Sequence, residues 1–260
     1  MNQDYKMFAV DLAYRAGEII KKNFVLGMRK DWKSDGTPVT ETDLVINQLV
    51  INSVKKEFPN HGILSEEGSN YSKNNEFVWV CDPIDGTIPF SAAIPTCVFS
   101  LALVCKGESN LGVIYDPFMD RLFFSEKGKG AFLNGKRISV SKAETLERSI
   151  VGISFLKGAK FDLCQLYTAL IDEGAFNLGV LSSIYMGSLV ASGELIASVG
   201  PAVKPHDAAA LKIIVEEAGG KVTDIFGNNQ RYDLDINGCL VSNGIVHDKL
   251  VMIIRNTVSV

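Results

Sequence analysis

Two carboxylates three residues apart, Asp82 and Asp85, close the run Val78-Trp79-Val80-Cys81-Asp82-Pro83-Ile84-Asp85-Gly86-Thr87. Val78 to Cys81 reads as a buried strand, with the acids where it ends. A proline stiffens the exit, and a Gly-Thr pair could open a helix. Acids at the mouth of a buried strand are costly to desolvate unless something positive lies between them. A divalent cation meets that need, and the backbone amides after Gly86 suggest a phosphate as second guest. Two more segments carry acids in similar company: Glu66-Glu67 follows the short strand Ile63-Leu64, and Asp207 heads the run Ala208-Ala209-Ala210-Leu211. Taken singly, a glutamate pair reads as a solvated loop and an aspartate before an Ala-rich run as a helix N-cap. Taken together they offer carboxylates for a hard oxygen site suited to Mg²⁺. Two such ions would activate a water and stabilise a leaving oxygen in phosphoryl transfer. A covalent aspartyl-phosphate of the haloacid-dehalogenase type fits poorly, because its paired acids stand two residues apart and near the N-terminus.

The elements that must position these acids follow from apolar periodicity. Residues 4–24 place Phe8, Leu12, Ala16, Ile19, Ile20 and Phe24 on one helical face. The polar loop Lys33-Ser34-Asp35-Gly36-Thr37-Pro38 follows. Thr40 with Asp43 three residues on then forms a near capping box for a second helix to about Phe58. After the paired acids, strands at 97–105, 111–115 and 121–125 with turns between them form a meander. From about residue 145 strand and helix alternate. Strands are expected at 149–154, 178–181, 221–224 and 239–242, and helices at 161–172, 183–196, 206–218 and from His247. That change of pattern divides the chain into an α+β part, residues 1–145, and an α/β part, residues 146–260.

The 260 residues carry 30 acids against 26 bases, a net charge of −4, with the lysines and arginines scattered. Nothing here favours a nucleic-acid or anionic-membrane surface. Five cysteines (Cys81, Cys97, Cys105, Cys164, Cys239) without a Cys-x-x-Cys pair fit small buried hydrophobes in a reducing compartment. The start, Met1-Asn2-Gln3-Asp4-Tyr5-Lys6, is polar, and no apolar run approaches the roughly 20 residues that span a bilayer. A soluble, cytoplasmic protein is expected.

The ordered set Lys33-Ser34-Asp35-Gly36-Thr37-Pro38-Val39-Thr40…Asp43, Glu66-Glu67, Asp82-Pro83-Ile84-Asp85-Gly86-Thr87, Gly112-Val113-Ile114-Tyr115-Asp116-Pro117 and Asp207-Ala208-Ala209…Glu217-Ala218-Gly219-Gly220 resembles the inositol monophosphatase family over nearly the whole chain. That group of Mg²⁺-dependent, lithium-sensitive phosphatases includes fructose-1,6-bisphosphatases and 3′-phosphoadenosine-phosphate phosphatases. The resemblance implies an α+β fold, a layered α-β-α-β-α sandwich with a mainly antiparallel sheet in its first half, and a homodimer. It implies two or three Mg²⁺ ions. Glu66, Asp82 and the Ile84 carbonyl would hold the first, and Asp82, Asp85 and Asp207 the second. Glu66, through water and with Asp43 nearby, would help a third. Thr87 with Glu66 or Asp43 would orient the attacking water, and the amides of Gly86 and Thr87 would receive the phosphate. Ser182, Ser183 and His206 would line the substrate pocket.

Three positions depart from the family pattern. His206 replaces the usual Trp before Asp207, as a polar wall or a filler of that space. Ile88-Pro89 replaces the usual Thr-Asn, trimming polar contacts beside the phosphate. Gly200 falls where an acid contacts inositol hydroxyls, and glycine cannot do so. The expected activity is therefore Mg²⁺-dependent hydrolysis of a small sugar- or polyol-phosphate, inositol 1-phosphate and fructose 1,6-bisphosphate included. A 3′(2′),5′-bisphosphate nucleotidase or a histidinol-phosphate phosphatase is the alternative. The retained acids Glu66, Asp82, Asp85 and Asp207 argue against a non-catalytic regulatory homologue.

Overall fold

The computed structural model describes residues 3–34, 36–68, 75–155 and 159–258. Met1, Asn2 and Asp35, which figure in the predicted polar start and loop, lie outside the described residues. The first helix, α1 (Gln3–Asn23), is followed by a two-stranded ribbon, β1 (Asp31–Trp32) and β2 (Pro38–Val39), that flanks the expected polar loop. Thr40 then starts α2 (Glu41–Glu57), its amide donating to Asp43 Oδ2 at 2.8 Å as the capping-box reading requires. The strand β3 (Gly62–Ser65) runs parallel to β4 (Phe77–Asp85). A five-residue helix, α3 (Thr87–Ser91), leads into the meander β5 (Val98–Cys105), β6 (Glu108–Asp116) and β7 (Arg121–Glu126). Two short strands that periodicity did not reveal, β8 (Ala131–Leu133) and β9 (Lys136–Arg137), finish a seven-stranded sheet in the order β3 to β9, antiparallel beyond its first pair.

The second sheet begins with β10 (Ile150–Ile153). After α4 (Cys164–Asp172) it gains β11 (Phe176–Leu178), two residues earlier than expected. The helix predicted over 183–196 stops sooner, as α5 (Ser183–Ala191). Gly193 turns the chain in a left-handed conformation, φ 89°, and β12 (Ala197–Gly200) takes up the apolar residues that follow. The helix α6 (Pro205–Glu217), the strands β13 (Lys221–Thr223) and β14 (Cys239–Ser242) and the helix α7 (His247–Thr257) complete the chain. The sheet order is β11-β10-β12-β14-β13, with β11, β10 and β12 parallel and β14 antiparallel to both neighbours.

Alternation along the strands sorts side chains into layers. Val78 and Val80 of β4 and Ala102 and Val104 of β5 face Ile184, Met186, Leu211 and Ile214 of α5 and α6. Their neighbours Trp79, Cys81, Leu101 and Leu103 face Leu12, Ile20, Ile46 and Val50 of α1 and α2. Val222 and Val241 of the second sheet close on the middle helices from the other side. The opposite face of that sheet, Val151, Ile153, Val199 and Leu240, packs on Leu166, Leu250 and Ile254 of α4 and α7. The result is the α-β-α-β-α sandwich. All five cysteines are free thiols. Among the described residues no helix is long and apolar enough to cross a membrane.

Candidate active site

The strand carrying the paired acids does not end at Cys81 as its apolar residues suggested. It continues to Asp85, and Asp82 and Asp85 are both buried. Asp82 opposes Ser100 of β5 and Asp85 opposes Val98, so three steps on β4 match two on its partner. That bulge matters for the chemistry. In a regular strand, residues three apart point to opposite faces, and one extra residue returns them to the same side. Asp82 continues the face of Val78 and Val80 toward α6, and there both acids meet Asp207. One carboxylate oxygen from each of Asp82, Asp85 and Asp207 lies within 4.8 Å of the others.

Each acid is fixed by its own backbone contacts. Asp82 Oδ1 accepts the Ile84 amide at 2.9 Å. Asp85 accepts the amides of Ser183, Ile184 and Tyr185 at 3.2, 2.8 and 3.3 Å and also the Ser182 hydroxyl, so it caps α5 from across the fold. Asp207 is not the N-cap of α6. It is the third helical residue, behind Pro205, and its Oδ2 accepts the Lys204 amide at 2.6 Å. Gly86 links the acids to α3 with φ 91°, where a Cβ would stand 2.9 Å from the Thr96 carbonyl. The Thr87 hydroxyl lies 3.1 Å from both Asp43 Oδ1 and the Ile84 carbonyl.

Burial sets the electrostatics. Asp82 is pushed well above the usual carboxylate range by desolvation, then by the charges of Glu66, Asp207 and Asp85. Desolvation and Asp207 raise Asp85 to about 7 against the opposing pull of its hydrogen bonds. Asp207 is raised by burial and Glu66, with His206 opposing, and Asp43 by burial foremost. Three acids this close and this dry cannot all ionise alone. Their oxygens suit a hard divalent cation.

Glu66 follows β3, lines the same cavity, and gives Oε1 to the Lys33 ammonium at 2.7 Å. Lys33 also reaches Glu67 at 2.5 Å. Burial opposes its charge, but the two glutamates more than offset this and hold it above the ordinary lysine value. Lys33 belonged to a quoted motif, yet nothing in its spacing marked it as a partner of Glu66. His206 lines the cavity with Nε2 3.7 Å from Asp207 Oδ1. Ser183 lines it too, whereas Ser182, expected at the substrate wall, is buried and turned to Asp85. Phe155, Lys160, Leu181, Lys204 and Asp235 also line the cavity and carried no motif signal. Leu156, Lys157 and Gly158 lie outside the described residues.

The sequence model of the inositol monophosphatase family matches residues 1–259. A fructose-1,6-bisphosphatase/inositol-1-monophosphatase of Thermotoga maritima is 33% identical over 221 residues, covering 85% of this chain and 83% of that protein. A histidinol-phosphatase of Mycobacterium tuberculosis is 31% identical over 258 residues, covering 96% and 98%. Among solved structures, an IMPase of Thermotoga maritima superposes with a TM-score of 0.89 at 29% identity, covering 98% of each chain.

Proposed function

The chain belongs to the inositol monophosphatase family, and from that premise we propose that this phosphomonoesterase is a cytoplasmic, homodimeric, Mg²⁺-dependent hydrolase of a small sugar- or polyol-phosphate. The observation that carries the reading is the meeting of Asp82, Asp85 and Asp207 beside the Thr87–Asp43 pair. Glu66, Asp82 and the Ile84 carbonyl would hold one Mg²⁺, and Asp82, Asp85 and Asp207 a second. Glu66, with Asp43 nearby, would hold a third through water. Bound there, the ions supply the positive charge that offsets the acids, acidifies water and stabilises the leaving oxygen.

The protein's own groups do the positioning. Asp43 and the Ile84 carbonyl restrain the Thr87 hydroxyl, which with Glu66 orients the attacking water. The amides of Gly86 and Thr87 would receive the phosphate oxygens. Water oxygen bonds to phosphorus as the bond from phosphorus to the alcohol oxygen breaks, releasing the alcohol and inorganic phosphate. The name of the Thermotoga maritima relative makes inositol 1-phosphate and fructose 1,6-bisphosphate the reference esters. The relative named histidinol-phosphatase, matched over nearly its whole length, keeps an amino-alcohol phosphate as the second reading. The test is phosphate release from a panel of esters with and without Mg²⁺. Release is expected only with the metal, and Asp85→Asn is expected to abolish it with the far-ultraviolet circular dichroism unchanged. Metal-independent release, or an active Asp85→Asn variant, would sink the assignment.

A further inference from the structure

The acid cluster lines a cavity of about 470 Å³. Beside the acids, the same cavity is lined by the hydrocarbon of Ile88, Phe155, Leu181, Val203 and Ile236. Gly200, where the family resemblance places an acid that reads inositol hydroxyls, has no room for one. A Cβ there would lie 2.3 Å from Val203 Cγ2, and the buried Val203 fills the space. Two polar pairs on or beside this wall are engaged with one another: Ser154 Oγ and Ser183 Oγ lie 3.1 Å apart, and Lys160 donates to Asn237 at 3.0 Å. Phe155 and Leu181 keep 39% and 42% of their surface exposed, apolar area that a ligand could cover. The Phe155 ring is restrained by Tyr167 at 5.7 Å. Tyr185 of α5 is turned to Arg121, whose guanidinium donates to its hydroxyl at 2.9 Å.

A polyol set against these residues would surrender water from its hydroxyls and find few partners on them, which costs binding. An alcohol with an apolar ring loses no hydrogen bonds there and removes hydrocarbon from water on both sides. We infer that the preferred substrate is a phosphate monoester whose alcohol bears an apolar ring, selected by Phe155 and Leu181. Lys204 and Asp235 also line the cavity, so the same alcohol can carry a polar substituent. The inference rests on the phosphomonoesterase reading and, within it, puts an apolar-ring alcohol ahead of the polyols.

The experiment compares kcat/KM for benzyl phosphate and inositol 1-phosphate, both esters of weakly acidic alcohols, so that leaving-group chemistry does not dominate. Benzyl phosphate is expected to be favoured by about tenfold, the scale set by covering one ring face. Phe155→Ala and Leu181→Asn, both at half-exposed positions, should each move the ratio toward inositol 1-phosphate by several-fold, chiefly through KM. A wild-type preference for inositol 1-phosphate, or a ratio unmoved by both variants, would overturn the inference. If Mg²⁺ supports turnover of no phosphate ester at all, the parent reading fails. The same comparison made by calorimetric affinity then decides this one separately.

Discussion

Asp85 balances two demands, and the balance predicts how the site responds to mutation and to pH. Four donors converge on its carboxylate while burial and Asp207 push its proton affinity up to about 7. Ser182→Ala removes one donor that favours the ionised form. The acid should become harder to ionise, and Mg²⁺ binding should weaken by about tenfold in calorimetry, whereas a lost buried hydrogen bond costs only about 1 kcal/mol of stability. Unchanged Mg²⁺ affinity would mean that Ser182 is mere packing. The pH dependence has a definite sign. An acid whose folded pKa exceeds its unfolded value of about 3.9 stabilises the fold while protonated, and that contribution is lost as pH rises toward and through the folded value. Asp82, Asp85 and Asp207 all shift upward. His247 acts in the opposite direction. It is buried between the Thr223 and Ser242 hydroxyls and lowered to about 4, so its contribution is full above about 6.5 and lost as pH falls toward 4. With EDTA the melting temperature should therefore peak between about pH 4 and 7 and fall toward pH 8, and Mg²⁺ should restore it at pH 8. A metal-free protein most stable at pH 8 would contradict this picture.

Elements deliver these residues through close approaches that only small side chains permit. Asp207 sits at the start of α6, and α6 lies on β6 where Gly112 has no side chain. A Cβ there would be 2.6 Å from Ile213 Cγ2 and 2.9 Å from the Ala210 carbonyl, and backbone cannot yield as a side-chain tip can. Gly112→Ala should cost about 1–3 kcal/mol by overpacking. It should also weaken Mg²⁺ binding, because the helix carrying Asp207 must lift; a stability loss with unaltered metal affinity would show that α6 accommodates elsewhere. The sequence made some of this legible and hid the rest for physical reasons. Thr40 and Asp43 announced α2 because a capping box is a local motif, and the nearly continuous apolar run of β5 announced a strand because each of its faces has a core to meet. The helix read through residue 196 failed because Leu195 and Ile196 are apolar in either conformation; Ser192-Gly193 was the stop signal. The bulge at Asp82–Asp85 had no local signature, since it is defined by the register with β5.

At the scale of the whole molecule, the change of sequence pattern at about residue 145 divides the strands but not the packing. The strands β3 to β9 lie before it and β10 to β14 after it. The helices α5 and α6 from the second half nevertheless cover one face of the first sheet: Ile184, Met186, Leu211 and Ile214 share a core with Val78, Val80, Ala102 and Val104. Residues 1–145 alone would retain the layer made with α1 and α2 and expose the opposite face of their central strands, an apolar patch of the kind that drives association. They would also lack Asp207 and the α5 amides that hold Asp85. We therefore propose that the two halves are one cooperative unit joined through the middle helices. Fragment 1–145 should aggregate or remain unfolded. In the intact chain, Trp79, buried against α1 and α2, should report the same urea midpoint by fluorescence as far-ultraviolet circular dichroism does for the whole. Separate midpoints, or a monomeric fragment with its own cooperative transition, would show that the first half folds independently. In that case the site would be assembled by docking two preformed halves, and Mg²⁺, bridging Asp82 and Asp85 on one half to Asp207 on the other, would tighten that docking. In a single cooperative unit the same ligation raises the stability of the entire chain, so Mg²⁺ should shift both probes by the same amount.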